Sequence, residues 1–221
     1  DLVLSAIIRR TNLIDSSKVV GFLFLRKSAT PVSGKGKESE IERKYGSLFE
    51  DIVRFCEILK EPYYLHNACN NGYEDIAKYL IRYGADVNEI ERSFGKTPLH
   101  MACEKGHENI VKYLVRQGAN INKTGKFGNT PLHIACNNGY DDIVKYLIDH
   151  GADVNKKDKF GEIPLFYVCR SGNESLVKYL VKYGAAVNKE GKFGEIPLLL
   201  ACKSGNESLV KYLVKYGAAV N

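Results

Sequence analysis

Thiols recur through the chain at an even interval. Cys69, Cys103, Cys136, Cys169 and Cys202 each sit beside an Ala or a Val. Thiols so arranged could bridge, hold a soft metal, or attack as nucleophiles. His66, His100 and His133 keep the same rhythm, each three residues ahead of a cysteine, whereas His107 and His150 stand next to turn glycines. A catalytic histidine needs a nucleophile or a positioning carboxylate beside it. A third chemistry is hinted at in "ATPVSGKG" (29–36), which has the look of a phosphate-cradling loop. There Gly36 occupies the place where Ser or Thr would hold the magnesium ion, and no acidic partner strand follows, so a linker is expected. The triplets opening at Asn122, Asn173 and Asn206 fit the glycan-acceptor pattern.

The regularity that suggests chemistry also argues against it, because the whole sequence repeats. Pro98, Pro131, Pro164 and Pro197 are spaced by 33, and so are Gly118, Gly151, Gly184 and Gly217. A fixed period of this length marks a stacked repeat protein. In each unit Pro opens a short first helix, where its missing N–H costs no bond, and a Gly such as Gly106 closes it. In "ENIVKYLVRQG" the residues Ile110, Val111, Leu114 and Val115 share one helical face, with Lys112 and Arg116 opposite. The polar, Gly-containing stretch up to the next Pro suits a hairpin-like turn.

The stretch "GKTPLHMACEKGHENIVKYLVRQGANIN" (95–122) resembles an ankyrin repeat in its TPLH opening, its Gly-His step and its G-A-x-x-N close. Five units follow from that resemblance, at about 62–95, 96–128, 129–161, 162–194 and 195–221. It implies an all-α solenoid of stacked helix-turn-helix units joined by β-hairpin-like fingers. It also implies that each TPLH His bonds to the Thr of its own unit and to the backbone of the neighbouring hairpin. The first unit departs, with Tyr63 and Tyr64 in place of Thr-Pro. Its hairpin "EIERSFGK" (89–96) has one extra residue, so this finger is expected to differ in shape. Residues 1–60 are read as an atypical helical region. There "EDIVRFCEIL" (50–59) forms the second helix of a degenerate capping repeat, and "LVLSAII" and "VVGFLFL" form a helix pair followed by a linker over 27–40.

Stacking decides the cysteine question. Helices about 8 to 10 Å apart exceed the roughly 7 Å reach of a disulfide between α-carbons, and one thiol per layer cannot assemble four metal ligands. Buried free thiols are expected, hence a reducing compartment, cytoplasmic or nuclear. The glycan triplets are then expected to be unused, and no cofactor is expected.

Composition narrows the partner. The 221 residues are 44% hydrophobic and 26% charged, which excludes wholesale disorder. The net charge of +6 is spread evenly, with 11 basic against 8 acidic residues up to position 60 and 21 against 18 beyond. The longest apolar run, "VVGFLFL" (19–25), falls short of the roughly 20 residues of a membrane span. The chain opens on Asp1 without a basic-then-apolar start, so no signal peptide is expected. At the other end Ile196, Leu199, Leu209, Val210 and Leu213 keep the full apolar set, from which a further repeat beyond Asn221 is expected.

The candidate site is a row of Phe94, Phe127, Phe160 and Phe193 at the hairpins, with Lys126, Lys159 and Lys192 just before three of them. Lys123, Lys156, Lys157 and Lys189 flank the row. To these the resemblance adds the concave side, meaning the polar pairs after each Cys: Asn70 and Asn71, Glu104 and Lys105, Asn137 and Asn138, Arg170 and Ser171, Lys203 and Ser204. Exposed aromatics fit a protein partner. Nucleic acid is disfavoured because Glu162 and Glu195 dilute the basic field. Small-molecule and membrane binding are not expected, and the chain is expected to be a monomer. Two alternatives stay open at the sequence level: each Phe packs on the next hairpin, or the array is a spacer or targeting module of a larger protein. A column of Tyr79, Tyr113, Tyr146, Tyr179 and Tyr212 is read as packing between second helices. In "KFGEIPLFYVCRSG" (159–172) Ile163 and Phe166 stand where Thr and His stand earlier, as Ile196 and Leu199 do later. Both partners change together, which reads as a repacked joint and not as a lost site.

Overall fold

The structure, a computed structural model, describes residues 63–82 and 84–220. The expected capping helix (50–59), the helix pair ahead of it, the linker and the side chain of Tyr79 lie outside the described residues. The chain divides into two compact units, Asp1–Ala85 and Asp86–Asn221. In the first, α1 (Tyr64–Asn71) packs against α2 (Glu74–Arg82). The ring of Tyr63, at the N-cap of α1, meets His66 edge-on at 5.4 Å.

The second unit is a helical solenoid of four helix pairs: α3 (Pro98–Lys105) with α4 (Glu108–Arg116), α5 (Pro131–Asn138) with α6 (Asp141–Asp149), α7 (Pro164–Ser171) with α8 (Glu174–Lys182), and α9 (Pro197–Lys203) with α10 (Glu207–Lys215). Among the described residues every regular element is a helix. Each first helix has Pro at its opening turn, and Gly106 closes α3 in the left-handed region at φ 74°. First helices pack on first helices, and second helices more sparsely on second helices. Leu99, Leu132, Leu165, Leu114, Leu147 and Leu180 are fully buried between them. Each such leucine contributes about 1.5 to 3 kcal/mol over an exposed one.

A polar ladder joins the units at the base of the hairpins. The Asn122 amide donates to the Gly151 carbonyl (3.0 Å), while its oxygen accepts the Asp153 N–H (2.8 Å). Asn88, Asn155 and Asn188 do the same one unit before and after. Each asparagine thus satisfies both the carbonyl of the Gly just past a second helix and a loop N–H of its successor, groups that no regular element pairs. This is the physical content of the Asn that closes each repeat.

At the tips the hairpins close by main-chain bonds. In the second, Gly125 N–H donates to the Asn129 carbonyl, and in the third, Asp158 N–H donates to Glu162. The first closes one residue wider, from Glu91 N–H to the Lys96 carbonyl, as its extra residue requires.

Two apolar expectations fail at the last pair. Cys202 is exposed, unlike Cys69, Cys103, Cys136 and Cys169, and Leu199 is 42% exposed. Within Asp86–Asn221 the counterparts of these residues on α3, α5 and α7 lie against the following first helix. Among the described residues no further helix packs over α9 on that side, so apolar type alone does not bury them.

Candidate functional site

The recurring histidines are built into the start of their own helices. Thr97 N–H donates to His100 Nδ1 at 3.1 Å, the Thr97 hydroxyl lies 2.8 Å from the same nitrogen, and His100 Nε2 faces the Asn129 carbonyl at 3.3 Å. Thr130, His133 and the Glu162 carbonyl repeat these distances. A main-chain N–H can only donate, so Nδ1 carries the lone pair and Nε2 the proton. The network therefore assigns a neutral ring that clasps the hairpin of the following unit. A Thr–His pair at 2.8 Å has the separation of a nucleophile and its base, yet Thr97, His100, Thr130 and His133 are all buried and committed to this joint. The bonding partners that the resemblance implied for this His are those found.

That tautomer makes the joint acid-sensitive. Burial holds the His133 imidazole below its ordinary pKa, opposed more weakly by the Glu162 carbonyl and the charges of Asp158 and Asp153. Protonation would also set an N–H against Thr130 N–H. A base with a depressed folded pKa binds fewer protons folded than unfolded, so stability is full above the unfolded value and falls as pH drops through it. Urea midpoints should accordingly decline below about pH 6.5, by no more than about 1.4 kcal/mol per pH unit for one such proton. Thr130→Ile with His133→Phe, which copies the 163/166 pair, should flatten that decline. An acid limb unchanged in the double variant would refute the assignment.

The finger tips are arranged backbone to backbone. Lys126, Lys159 and Lys192 donate their main-chain N–H to the carbonyls of Phe94, Phe127 and Phe160 at 2.7, 2.9 and 2.7 Å. The Lys-Phe dipeptides thereby form a continuous line from finger to finger. Their side chains are left at the surface: Phe94 is 51% exposed, Phe127 50%, Phe160 45% and Phe193 73%. Rings half open to water are held in place by the chain beneath them.

Several members of the polar pairs on the first helices are bonded within the chain. Glu104 pairs with Lys96 (2.5 Å), Arg170 with Glu162 (2.6 Å) and Lys203 with Glu195 (3.5 Å). The Asn138 amide donates to the Glu104 carbonyl (3.3 Å), while Asn71 turns back to Asn67. Ser171 and Ser204 bond to their own helices. Lys105 and Asn137 are exposed, and Asn70 half-buried. Lys96, Glu104, Asn129, Ile134, Asn137 and Tyr167 line a hollow of about 260 Å³ on this face.

Sequence reasoning missed the group beneath the third finger. The Asp158 carboxylate accepts Phe160 N–H (2.8 Å), Glu162 N–H (3.0 Å) and the Tyr167 hydroxyl (2.7 Å). Tyr167 stands edge-on to His133 at 5.7 Å, with the Arg170 guanidinium over its ring. Burial, then Asp158, pushes the Tyr167 pKa up. Glu91 plays the acceptor role in the first finger, toward Ser93 and Phe94, whereas Gly125 and Gly191 occupy the matching places in the others. Acid, Gly, acid, Gly at one hairpin position was the available signal. A second signal was the opposite charges recurring eight residues apart at 96/104, 162/170 and 195/203.

Several other candidate groups among the described residues are occupied or shielded. Burial raises the thiol pKa of Cys69 and Cys136, and pushes that of Cys169 up to about 12. Asn122, Asn173 and Asn206, the glycan-pattern residues, all spend their amide nitrogens on internal acceptors. In the Tyr column Tyr146 stacks on His150 and Tyr179 on Tyr183, each four residues on at the end of its own helix, and the hydroxyls of Tyr179 and Tyr183 both donate to Asp149 of the preceding unit. Among the described residues no His, Cys, Asp and Glu side chains cluster to hold a metal ion, and no helix is long and apolar enough to cross a membrane.

A family profile described as ankyrin repeats (3 copies) matches residues 65–158 and 151–221. No curated protein matches the chain.

Proposed function

Because this chain belongs to the ankyrin-repeat family, whose repeats generally serve as protein–protein interaction modules, we propose that it is a non-enzymatic scaffold binding a protein through its finger tips and first-helix face. One observation carries the reading. Phe94, Phe127, Phe160 and Phe193 are large apolar side chains held in a row with 45% or more of each exposed. Solitary exposed apolar residues need no explanation, but an aligned series rimmed by polar groups marks interaction surfaces. Aromatic anchors also carry much of the energy of such contacts. The residues that vary between units, Glu104, Asn137, Arg170 and Lys203, lie along the first helices beside the row, while the Asn joints at 88, 122, 155 and 188 stay constant.

The test uses the full chain as bait, with retained proteins identified and their affinities measured. Phe127→Ala with Phe160→Ala should weaken binding at least about tenfold, as loss of two interface aromatics does, with helicity by circular dichroism unchanged. Unaltered affinity would remove the finger tips from the site. A second reading rests on the last two units, which differ only at 166/199, 167/200, 168/201 and 170/203. Such uniformity also suits a spacer or a targeting module of a larger protein, and a bait that retains nothing specific would favour it.

A further inference from the structure

Several lysines outside the second to fourth finger tips are answered within the chain: Lys96, Lys112, Lys178 and Lys203 each hold a carboxylate of their own unit. The charges of the finger tips are not. Lys126, Lys157, Lys159 and Lys192 are exposed, and Lys123, Lys156 and Lys189 are half-buried beside them. Among the described residues none of these seven pairs with a carboxylate.

Acids near the tips do little to offset this excess. Glu162 and Glu195 are turned onto the first helices and held by Arg170 and Lys203. The sequence expectation that they dilute the tip field is therefore corrected. Asp158 is buried under its own turn, with both oxygens accepting hydrogen bonds. Of the acids in the second to fourth fingers' tips, only Glu190 remains exposed. The first finger carries no such excess: Glu91 is buried under its own turn as Asp158 is, which leaves Glu89 and Arg92.

We infer that the ridge formed by the second, third and fourth finger tips binds an acidic polypeptide segment bearing bulky apolar side chains, with Phe127, Phe160 and Phe193 taking the apolar groups and the tip lysines the carboxylates. The inference rests on the protein-binding reading above and specifies the partner's chemistry. Charge complementarity favours this occupant. The basic stretch is short, and it ends at the first finger, where Glu89 offsets Arg92, so it suits a segment whose acids are confined to one part better than a continuous phosphate backbone.

Fluorescence anisotropy with the full chain tests this. The probe is a labelled peptide of repeated Glu-Glu-Leu-Phe blocks, set against the same peptide with Gly for Leu and Phe, one with Lys for Glu, and an oligo-dT strand of similar length. The first should bind, and added salt should weaken it, as surface charge contacts require. Lys126→Glu, Lys159→Glu and Lys192→Glu together should cost at least about tenfold in affinity, and Phe127→Ser with Phe160→Ser a similar factor. The inference is overturned if the acidic peptide does not bind, if the Gly peptide binds equally well, or if oligo-dT binds as tightly. The two readings separate cleanly. Charge reversal that leaves a natural partner's affinity intact, where Phe127→Ala with Phe160→Ala lowers it, sinks the acidic-partner inference and leaves protein binding standing.

Discussion

Phe166→His is expected to destabilise the chain by about 3 kcal/mol or more, in the range of large buried-aromatic losses, and Ile163→Thr added to it should restore about 1 kcal/mol, the worth of one hydrogen bond. Phe166 and Ile163 are both fully buried, and the Phe166 ring lies so close under Gly191 that a Cβ there would stand 3.2 Å from its edge. Imidazole is smaller than the phenyl ring, leaving a void, and it brings two nitrogens into an apolar joint. The main-chain N–H of residue 163 and the Glu195 carbonyl remain to bond it, since both exist whatever the side chain. The missing element is the hydroxyl that stands 2.8 Å from Nδ1 in the 97/100 and 130/133 pairs. A double-mutant cycle on urea midpoints isolates that term. Strict additivity would mean that the Thr–His partnership contributes nothing as a unit.

Gly128→Ala should cost about 2 to 3 kcal/mol, combining the left-handed backbone penalty of about 1 to 2 kcal/mol with loss of a hydrogen bond worth about 1 kcal/mol. Gly128 has φ +76°, and a Cβ on it would lie 2.9 Å from Lys159 N, the very atom that donates to Phe127 of the preceding finger. Since that obstacle is backbone, it cannot swing aside. Gly151, at φ +92° with nothing within 4 Å of the same Cβ, is the control. Gly151→Ala should cost only the conformational part, about 1 to 2 kcal/mol. Equal losses at the two positions would show that the close approach between fingers is not a structural requirement.

Repetition explains what could be foreseen. Pro98 and its counterparts at steps of 33 located the first helices, and the extra residue in 89–96 foretold the wider first finger, because each signal recurs or breaks a recurrence. The Asp158–Tyr167 bond had no such support. It joins a turn to a helix within one unit, and its members become Gly191 and Leu200 in the next. Glu162 was misread for a related reason: its charge is plain in the sequence, but its direction depends on Arg170 eight residues on. Cys202 and Leu199 show the limit of residue type, since burial belongs to the neighbour that covers a side chain as much as to the side chain itself. The finger-tip phenylalanines were legible as a row, whereas their exposure required the main-chain bonds that fix the tips.

The asparagine ladder has a genealogical consequence. The side chains of Asn88, Asn122, Asn155 and Asn188 each bond to the unit directly ahead, at nearly the same offsets, and nothing in such a joint records its place in the series. A gene could duplicate or excise whole units in frame, and every surviving asparagine would still find its glycine carbonyl. The near-identity of 162–188 and 195–221 is what recent copying under that freedom would leave behind.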